Sequence, residues 1–243
     1  MGRLTVSPVP VLSDNYVWLI HDPGSGETAA VDPSVAQPVL DAASAENLRI
    51  TQVLNTHWHP DHTGGNDGIR DATGCTITAP AEAERVSRID RVVSEGDRVT
   101  VAGAEAVVWD IPAHTSGHIA YYFEDEGMIF VGDTMFAMGC GRLFEGTAEQ
   151  MYANMQRIAG LPENVRIYCG HEYTLANAKF AAHVEPGNLA IAERLAKVET
   201  LRANGTVTLP STVGEERETN PFVRAAGSDE FARLRSDKDR FRS

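Results

Sequence analysis

Three histidines and an aspartate stand within a six-residue stretch that directly follows an apolar run. The stretch lies in Thr56-His57-Trp58-His59-Pro60-Asp61-His62, and the run before it covers residues 50–55. Imidazole nitrogens and carboxylate oxygens are the ligands that borderline divalent metals such as zinc prefer. Because side chains alternate along an extended segment, His57 and His59 point to the same side and can hold one ion. Asp61 and His62 follow the bend at Pro60, where they are placed to hold a second ion.

Three further candidate ligands stand where a predicted strand meets a loop. They are His114 in the segment 111–118, Asp133 in Gly132-Asp133-Thr134, and His171 in Gly170-His171-Glu172. Functional groups are often displayed at such positions. Taken singly, each residue is more often a loop or capping residue than a ligand. Together with the first motif, three such placements are improbable by accident, so the sequence predicts a site for two metal ions.

Length and composition are those of a globular protein. The chain has 243 residues, 42% of them hydrophobic and 23% charged, which is ordinary for a soluble domain with a sizeable core. No run approaches eighteen apolar residues, so we expect no membrane span, and residues 1–5 lack the apolar core of a secretory signal. Cys75, Cys140 and Cys169 are scattered. This distribution argues against a disulfide framework and predicts a cytoplasmic protein.

The net charge of −13 disfavours a nucleic-acid partner, because phosphates would be repelled. The charge is uneven, since residues 222–243 hold six basic and four acidic side chains. One interpretation is a solvated charge run at the end of a helix, which is the more common case. The other is a cationic clamp for a small anionic substrate. Charge alone does not decide between them.

The order of predicted elements divides the chain into a strand-rich part, residues 1–171, and a helical part, residues 172–243. Apolar, β-branched and aromatic runs separated by Gly, Pro and Asp predict the strands, and helical spacing with capping residues predicts the helices. The predicted strands are 3–11, 15–21, 27–31, 50–55, 75–79, 98–101, 104–110, 117–124, 127–131 and 165–169. The predicted helices are 33–45, 147–159, 172–184, 188–204 and 228–236, with a capping box at 147–150 and a C-cap at Asn204-Gly205.

These motifs resemble the metallo-β-lactamase superfamily, whose ordered signature is H-x-H-x-D-H, His, Asp, His. Within it, the chain is similar along its whole length to the hydroxyacylglutathione hydrolase (glyoxalase II) family. The segments that carry this second resemblance are 10–16, 132–136, 139–147, 169–174, 183–188, 220–222 and 234–239. The resemblance implies an α/β fold, an αββα sandwich of two mixed sheets followed by a C-terminal helical domain. It also implies two metal sites that share Asp133. The first metal's other ligands would be His57, His59 and His114, and the second's Asp61, His62 and His171.

The implied activity is hydrolysis of S-2-hydroxyacylglutathione thioesters, with S-D-lactoylglutathione giving D-lactate and glutathione in the second step of methylglyoxal detoxification. Two divalent ions, zinc above all and iron or manganese otherwise, would lower the pKa of a shared water. The resulting hydroxide, held with the help of Asp61 and Asp133, would attack the thioester carbonyl. Thiolate is a moderate leaving group, so strong general-acid help is unnecessary.

The same resemblance implies five substrate contacts. Arg142, Phe144 and Tyr173 would line the glutathione pocket, and Arg235 and Lys238 would bind the glycine carboxylate, for which paired N–H donors and positive charge are suited. Some family members have Lys and Tyr where this chain has Arg142 and Phe144. The positive charge is therefore kept at the first position, whereas a phenolic hydroxyl is lost at the second.

Two other functions remain open at this point. Persulfide dioxygenases share the fold and a similar early motif, but they use one iron ion and lack the helical domain, so residues 172–243 argue against that function. A non-catalytic metal-binding or interaction protein is the other alternative, and the intact ligand set counts against it. Lactonase or nuclease activity is a further possibility within the superfamily. We expect a monomer that acts on a small molecule, without a nucleic-acid or membrane partner.

Overall fold

The computed structural model describes residues 4–101 and 103–242. The chain divides into two compact units. The first unit comprises Met1–Asp110 and Thr115–Gly132, and the second comprises Ile111–His114 and Asp133–Ser243. The predicted strand start at residue 3 and the outer ends of the predicted domains, residues 1 and 243, lie outside the described residues. The predicted domain boundary between residues 171 and 172 stays a prediction.

One sheet of the first unit has the strand order β1-β2-β3-β4-β5-β6. The strands are β1 Thr5–Val11, β2 Asn15–His21, β3 Glu27–Val31, β4 Arg49–Leu54, β5 Thr76–Ala79 and β6 Arg91–Val92. Strands β1 to β3 pair antiparallel, and β3 to β6 pair parallel. Pro8 and Pro10 are accommodated in β1 because β1 is an edge strand of this sheet. On the open side of an edge strand, a missing backbone N–H does not remove a hydrogen bond between strands.

Helices cover one face of this sheet through the connections between its parallel strands. The helices are α1 Ala36–Ala45, α2 Pro60–Thr63 and α3 Asn66–Thr73. Val39 and Ala43 of α1 and Ile69 of α3 belong to the same buried cluster as Val53 and Ile77 of the sheet. Burial of one such aliphatic side chain contributes roughly 1.5–3 kcal/mol. This packing fixes the loop that follows β4.

A second sheet in the first unit is an antiparallel meander of β7 to β10. Its strands are β7 Arg98–Val101, β8 Ala104–Asp110, β9 Ile119–Phe123 and β10 Met128–Gly132, and a 3₁₀ turn, Ala81–Arg85, precedes β6. Every residue of β9 and β10 is buried. The Tyr121 hydroxyl donates to the carbonyls of Asn55 (2.9 Å) and Thr78 (3.2 Å), at the ends of β4 and β5. The second sheet therefore contacts the first at the ends of β4 and β5.

Helices dominate the second unit. Its elements are β11 Met135–Phe136, β12 Gly139–Cys140, α4 Ala148–Ala159, β13 Arg166–Cys169, α5 Thr174–Val184, α6 Leu189–Ala203, β14 Ser211–Thr212, α7 Val213–Thr219, α8 Pro221–Arg224 and α9 Ser228–Arg240. Phe222 lies at the centre of the helical core, with ring centroids 6.0 Å from Phe180 and 5.4 Å from Phe231. Aromatic contacts at these distances add to the stabilisation from burial.

Side-chain caps set the ends of several of these helices. The predicted capping box is confirmed, since Gln150 N donates to Thr147 Oγ1 (3.3 Å) and Thr147 N donates to Gln150 Oε1 (2.9 Å). The predicted C-cap of α6 is confirmed at Asn204, and Gly205 adopts φ +68°. Left-handed backbone after a helix favours glycine because it has no Cβ.

The α/β class and the helical C-terminal part are as predicted, while several boundaries differ. Helix α1 begins at Ala36 rather than at residue 33, and α9 continues to Arg240 rather than ending near 236. The strand predicted from residue 117 begins at Ile119, because the Gly117 N–H donates to the Glu82 carboxylate (2.7 Å) and not to a strand. Within the described residues, no helix is both long and apolar enough to cross a membrane.

Candidate metal centre

Strand β4 positions the histidine motif in the first unit. Parallel pairing with β3 and β5 fixes its register, and Val53 and Leu54 are fully buried. Beyond its end, His57 Nε2 lies 3.1 Å from His59 Nδ1. His57 is buried and His59 is half-buried. Two ring nitrogens therefore converge, as expected from the alternation of side chains.

Asp61 and His62 form a second pair on the short helix α2. His62 Nε2 lies 3.6 Å from Asp61 Oδ2. Asn15 Nδ2 donates to Asp61 Oδ2 (3.1 Å) and to the Asp61 carbonyl (3.2 Å), which also accepts from the Ser34 hydroxyl. Pro60 supplies the fixed φ that begins the helix. These contacts hold the carboxylate beside the imidazole.

Asp32 is a functional candidate that the sequence analysis missed. Its buried carboxylate accepts from Thr56 N (2.8 Å) and Thr56 Oγ1 (2.7 Å), and it lies 3.2 Å from His62 Nδ1. Thr56 Oγ1 in turn lies 3.0 Å from His57 Nδ1. Potential ligand atoms of Asp32, His57 and His62 all lie within 4.8 Å of one another. The signal in the sequence is an aspartate directly after an apolar strand, which resembles an ordinary turn before Pro33.

These contacts define which ring nitrogens carry hydrogen. His62 Nδ1 lies 3.2 Å from Asp32 Oδ2, so Nε2 is the ring nitrogen that faces away from that carboxylate. The Thr56 hydroxyl donates to Asp32, so it accepts from His57 Nδ1 and leaves His57 Nε2 with a lone pair. Acceptors behind metal-binding histidines fix both tautomer and ring orientation.

Neighbouring side chains brace the motif. Asn55 Nδ2 donates to the His62 carbonyl (2.8 Å), and the Thr56 contacts are those described above. The fully buried His118 ring stacks on His57 with centroids 4.6 Å apart, so it supports the His57 ring by packing. Trp58 packs beneath Arg85, whose guanidinium carbon lies 5.2 Å from the ring.

The second unit contains its own group of candidate ligands. His114 Nε2 lies 3.5 Å and His171 Nε2 lies 3.2 Å from the same oxygen, Asp133 Oδ2. All three side chains are buried. Two imidazoles that face one carboxylate oxygen are suited to binding cations on either side of it. Of the seven predicted ligands, the structure thus brings together four in the first unit and three in the second.

His114 is oriented by the backbone of the loop that follows Asp133. Its Nδ1 lies 3.0 Å from the Arg142 carbonyl, an acceptor, so this nitrogen donates and Nε2 is left for a metal. Gly146 N donates to the Ala113 carbonyl (3.0 Å), and Asn154 of α4 donates to the Pro112 carbonyl (2.7 Å). The segment that carries His114 is therefore fixed from two sides.

Aromatic rings surround the ligands of the second unit. Tyr173 stacks on His171 with centroids 4.6 Å apart and planes within 4°, and Phe136 lies edge-on to both rings. Phe144 lies 5.1 Å from the His114 ring. Phe144 is 59% exposed and Tyr173 is 37% exposed, so both of these predicted substrate contacts offer apolar surface beside a ligand.

The three predicted cationic substrate contacts lie in different environments. Arg142 is exposed, with Nε 3.8 Å from Asp239 Oδ1. Lys238 donates to the Ala176 carbonyl (2.8 Å), and burial together with nearby Arg235 lowers its pKa to about 8. Arg235 is buried and donates to the Cys140 carbonyl (2.8 Å) and to Asp239 (2.8 Å). Its role as a substrate ligand stays a prediction.

Comparisons with known proteins show which family the chain resembles. The family model described as Metallo-beta-lactamase superfamily matches residues 14–171, and the one described as Hydroxyacylglutathione hydrolase C-terminus matches residues 172–241. A hydroxyacylglutathione hydrolase of Methylococcus capsulatus is 51% identical and covers 95% of this chain and 91% of its own. One from Hyphomonas neptunium is 47% identical and covers 98% of each chain.

The chain belongs to the metallo-β-lactamase superfamily and to its hydroxyacylglutathione hydrolase family. A similar solved structure is ETHE1 from Myxococcus xanthus, with a TM-score of 0.74 and 25% identity over 96% of this chain and 90% of that one. The predicted metallo-β-lactamase fold is thereby confirmed. As a member of this family, the protein is a metal-dependent hydrolase.

The donor set fits the divalent metal that the family implies. Imidazole nitrogens and carboxylate oxygens predominate, and the ring nitrogens that face away from the candidate sites have acceptors within hydrogen-bond distance at His57, His62 and His114. An acceptor beside the ring nitrogen that does not bind the metal is typical of metal-binding histidines. The donors alone do not select zinc over iron or manganese, because imidazole suits all three.

Cysteine chemistry does not compete with this interpretation. Cys140 is buried beside Arg235, and burial raises the pKa of its thiol to about 11. Burial also raises the pKa of Cys169. Both thiols are therefore neutral near pH 7, and a neutral buried thiol is a poor nucleophile. The burial of Cys140 agrees with a packing role.

Proposed function

We propose that this protein hydrolyses S-2-hydroxyacylglutathione thioesters, with S-D-lactoylglutathione giving D-lactate and glutathione in the second step of methylglyoxal detoxification. The observation that carries the proposal is the match of residues 172–241 to the C-terminal part of hydroxyacylglutathione hydrolases. Relatives with that name match nearly the whole chain. The same match favours a thioesterase over a persulfide dioxygenase and over a non-catalytic metal-binding protein.

The proposed metal ligands are the seven residues predicted from the sequence. One ion would be held by His57, His59 and His114, the other by Asp61, His62 and His171, and Asp133 would bridge them. The pairs His57–His59 and Asp61–His62 support this division, as does the approach of His114 and His171 to a single Asp133 oxygen. Bound divalent ions would supply Lewis acidity and lower the pKa of water at the site.

The remaining residues prepare the site for that chemistry. Thr56 holds His57 in the tautomer that presents Nε2, and the Arg142 carbonyl does the same for His114. The Asp32 carboxylate lies beside His62 Nδ1 and faces that ring. Asn15 and Ser34 hold Asp61. Because these partners are fixed before substrate binds, little reorganisation is required during the reaction.

Substrate binding is assigned to Arg142, Phe144, Tyr173, Arg235 and Lys238. Phe144 and Tyr173 offer exposed aromatic surface, which suits the apolar parts of a glutathione thioester. The ammonium of Lys238 and the guanidinium of Arg142 suit its carboxylates. Phe144 has no hydroxyl, so any hydrogen bond that a tyrosine would make at this position is absent.

Three finer assignments complete the proposal. We propose zinc as the metal, and iron or manganese would be accommodated by the same imidazole and carboxylate donors. We propose a cytoplasmic location, supported by the small number and the scattered positions of the cysteines. We also propose a monomer without a nucleic-acid partner, and the net charge of −13 supports the second part.

The decisive experiment is a thioester assay on the purified protein. S-D-lactoylglutathione is the substrate, and release of glutathione thiol is followed with a thiol reagent. We expect turnover by the metal-loaded protein, with oxygen uptake on glutathione persulfide as the comparison reaction. Oxygen uptake without thioester hydrolysis would show that the protein is a persulfide dioxygenase and not a thioesterase.

A further inference from the structure

A hairpin, β11–β12, connects Asp133 to the loop that carries Arg142. Its turn residue Met138 has φ +58°, in the left-handed region that residues other than glycine seldom adopt. The Met138 side chain is fully buried, so this is not a loose surface turn. Strained backbone of this kind persists only where surrounding groups over-determine it.

The group that holds the turn is the carboxylate of Glu216 on α7. Glu216 is 1% exposed. Its Oε2 accepts from Met138 N (2.8 Å) and from Asn220 Nδ2 (2.8 Å). Its Oε1 accepts from Arg194 (2.8 Å) and from the Ser211 hydroxyl. Oε2 thus binds the hairpin, and Oε1 contacts the Arg194 guanidinium. A buried carboxylate requires such a cationic partner.

Two asparagines hold the carbonyls of the same hairpin. Asn220 Nδ2 lies 3.3 Å from the Phe136 carbonyl and 3.0 Å from the Gly139 carbonyl. Asn177 Nδ2 of α5 donates to the Ala137 carbonyl (3.1 Å). A Cβ on Gly139 would lie only 2.4 Å from that same nitrogen. Side chains from different helices therefore fix the hairpin backbone residue by residue.

The hairpin ends at two groups of the candidate metal centre. Gly141 N donates to the Thr134 carbonyl (3.0 Å), and a Cβ on Gly141 would lie 1.9 Å from the Asp133 carbonyl oxygen. The next residue, Arg142, presents the carbonyl that orients His114. A shift of the turn at Met138 would therefore move both the Asp133 backbone and the acceptor behind His114.

We propose that Glu216 is a positioning residue for the hydrolase reaction. It holds the strained Met135–Cys140 hairpin in the one position that places Asp133 and aims the Arg142 carbonyl at His114. This inference rests on the proposed function only in taking Asp133 and His114 as metal ligands. Glu216 acts through the hairpin backbone and touches neither substrate nor ligand.

The test compares Glu216→Gln with Ser211→Ala. Glutamine has the same size, but its amide must turn an N–H₂ donor towards either Met138 N and Asn220 Nδ2 or Arg194, so one side of the contact is lost. Ser211→Ala is the matched control, because it removes a donor to Oε1 and leaves the hairpin side intact. Thermal unfolding records the stability of each variant.

Zinc affinity, measured by competition with a chromophoric chelator, is the readout that separates positioning from stability. We expect Glu216→Gln to bind zinc about 10-fold more weakly, since outer contacts of metal ligands typically contribute 10–100-fold. We expect kcat for the thioester to fall more than KM changes, and the His114 Nδ1–H resonance to shift. Ser211→Ala should lower stability while keeping wild-type zinc affinity and kcat.

Wild-type zinc affinity and an unshifted His114 resonance in folded Glu216→Gln would overturn the inference. If that variant does not fold, Glu216→Asp decides, because it keeps the negative charge beside Arg194 and shortens the reach to Met138 N. Unchanged zinc affinity there would refute the positioning role. Lack of thioesterase activity in the wild type would instead refute the proposed function, since the zinc measurement needs no thioester.

Discussion

At the scale of single residues, Asp32 shows how a buried carboxylate serves a metal centre without being among the proposed ligands. It lies at φ +52°, which aspartate tolerates better than most residues. Its oxygens reach the Thr56 amide, the Thr56 hydroxyl and His62 Nδ1. The strand that ends at Val31 and the loop at Thr56 are thereby joined directly behind the histidines.

Asp32→Asn should weaken metal binding. The amide keeps the size and the backbone preference of Asp32, but it is neutral and presents a donor towards the Thr56 donors and the His62 ring. We expect zinc affinity to fall by about 10–100-fold, as for other second contacts of metal ligands, measured by chelator competition. The control is Asp22→Asn, another buried aspartate of the first unit that caps its own turn at Gly24 and Ser25. Equal effects of the two changes would contradict the role of Asp32.

Lys238 gives the proposed substrate site a pH dependence. Its pKa is lowered from 10.5 to about 8, first by burial and then by Arg235. Below pH 8 the ammonium is charged and can bind a carboxylate, and above pH 8 it is increasingly neutral. We therefore expect KM for S-D-lactoylglutathione to rise as pH passes 8.

Lys238→Arg is the control for this titration, because guanidinium stays charged at any pH in the assay. Its KM should be flat between pH 7 and pH 9. A rise in KM of the same size in the arginine variant would mean that a group other than Lys238 causes the pH dependence.

At the scale of secondary-structure elements, helix α4 follows the loop of Arg142 and Phe144 and begins at the Thr147 capping box. Thr147→Ala removes one cap and should lower the free energy of unfolding by about 1 kcal/mol. Denaturant unfolding measures this change. Thr200→Ala, an exposed position within α6, is the control and should change stability little. A loss at Thr200 as large as at Thr147 would exclude capping as the cause.

Elements with strong local signals were predictable from the sequence. Helix α4 has a capping box and helical spacing, and β9 and β10 are continuous apolar runs. The β11–β12 hairpin was not predicted, because its two-residue strands depend on Glu216 and Asn220, which lie about 80 residues away in sequence. For the same reason, the ligand types of the metal centre could be inferred locally, whereas the contacts of Asp32 and the Arg142 carbonyl could not.

At the scale of the whole molecule, the two compact units each contribute part of the proposed ligand set. The first holds His57, His59, Asp61 and His62, and the second holds His114, Asp133 and His171. If each ion takes ligands from both units, then bound metal stabilises both at once. A metal that binds only the folded state adds about 2.7 kcal/mol to the free energy of unfolding when its free concentration is 100 times its Kd.

Removal of metal with a chelator, verified by elemental analysis, should therefore do two things. Thioester hydrolysis should stop, and amide hydrogen exchange should accelerate in both units, around residues 55–62 in the first and 133–142 in the second. Added zinc should restore activity and protection together. Faster exchange confined to one unit would mean that the ions take their ligands from that unit alone, and the division of ligands between two shared ions would then be wrong. Full activity after verified loss of metal would refute the mechanism itself, because none of the chain's own residues is assigned as nucleophile.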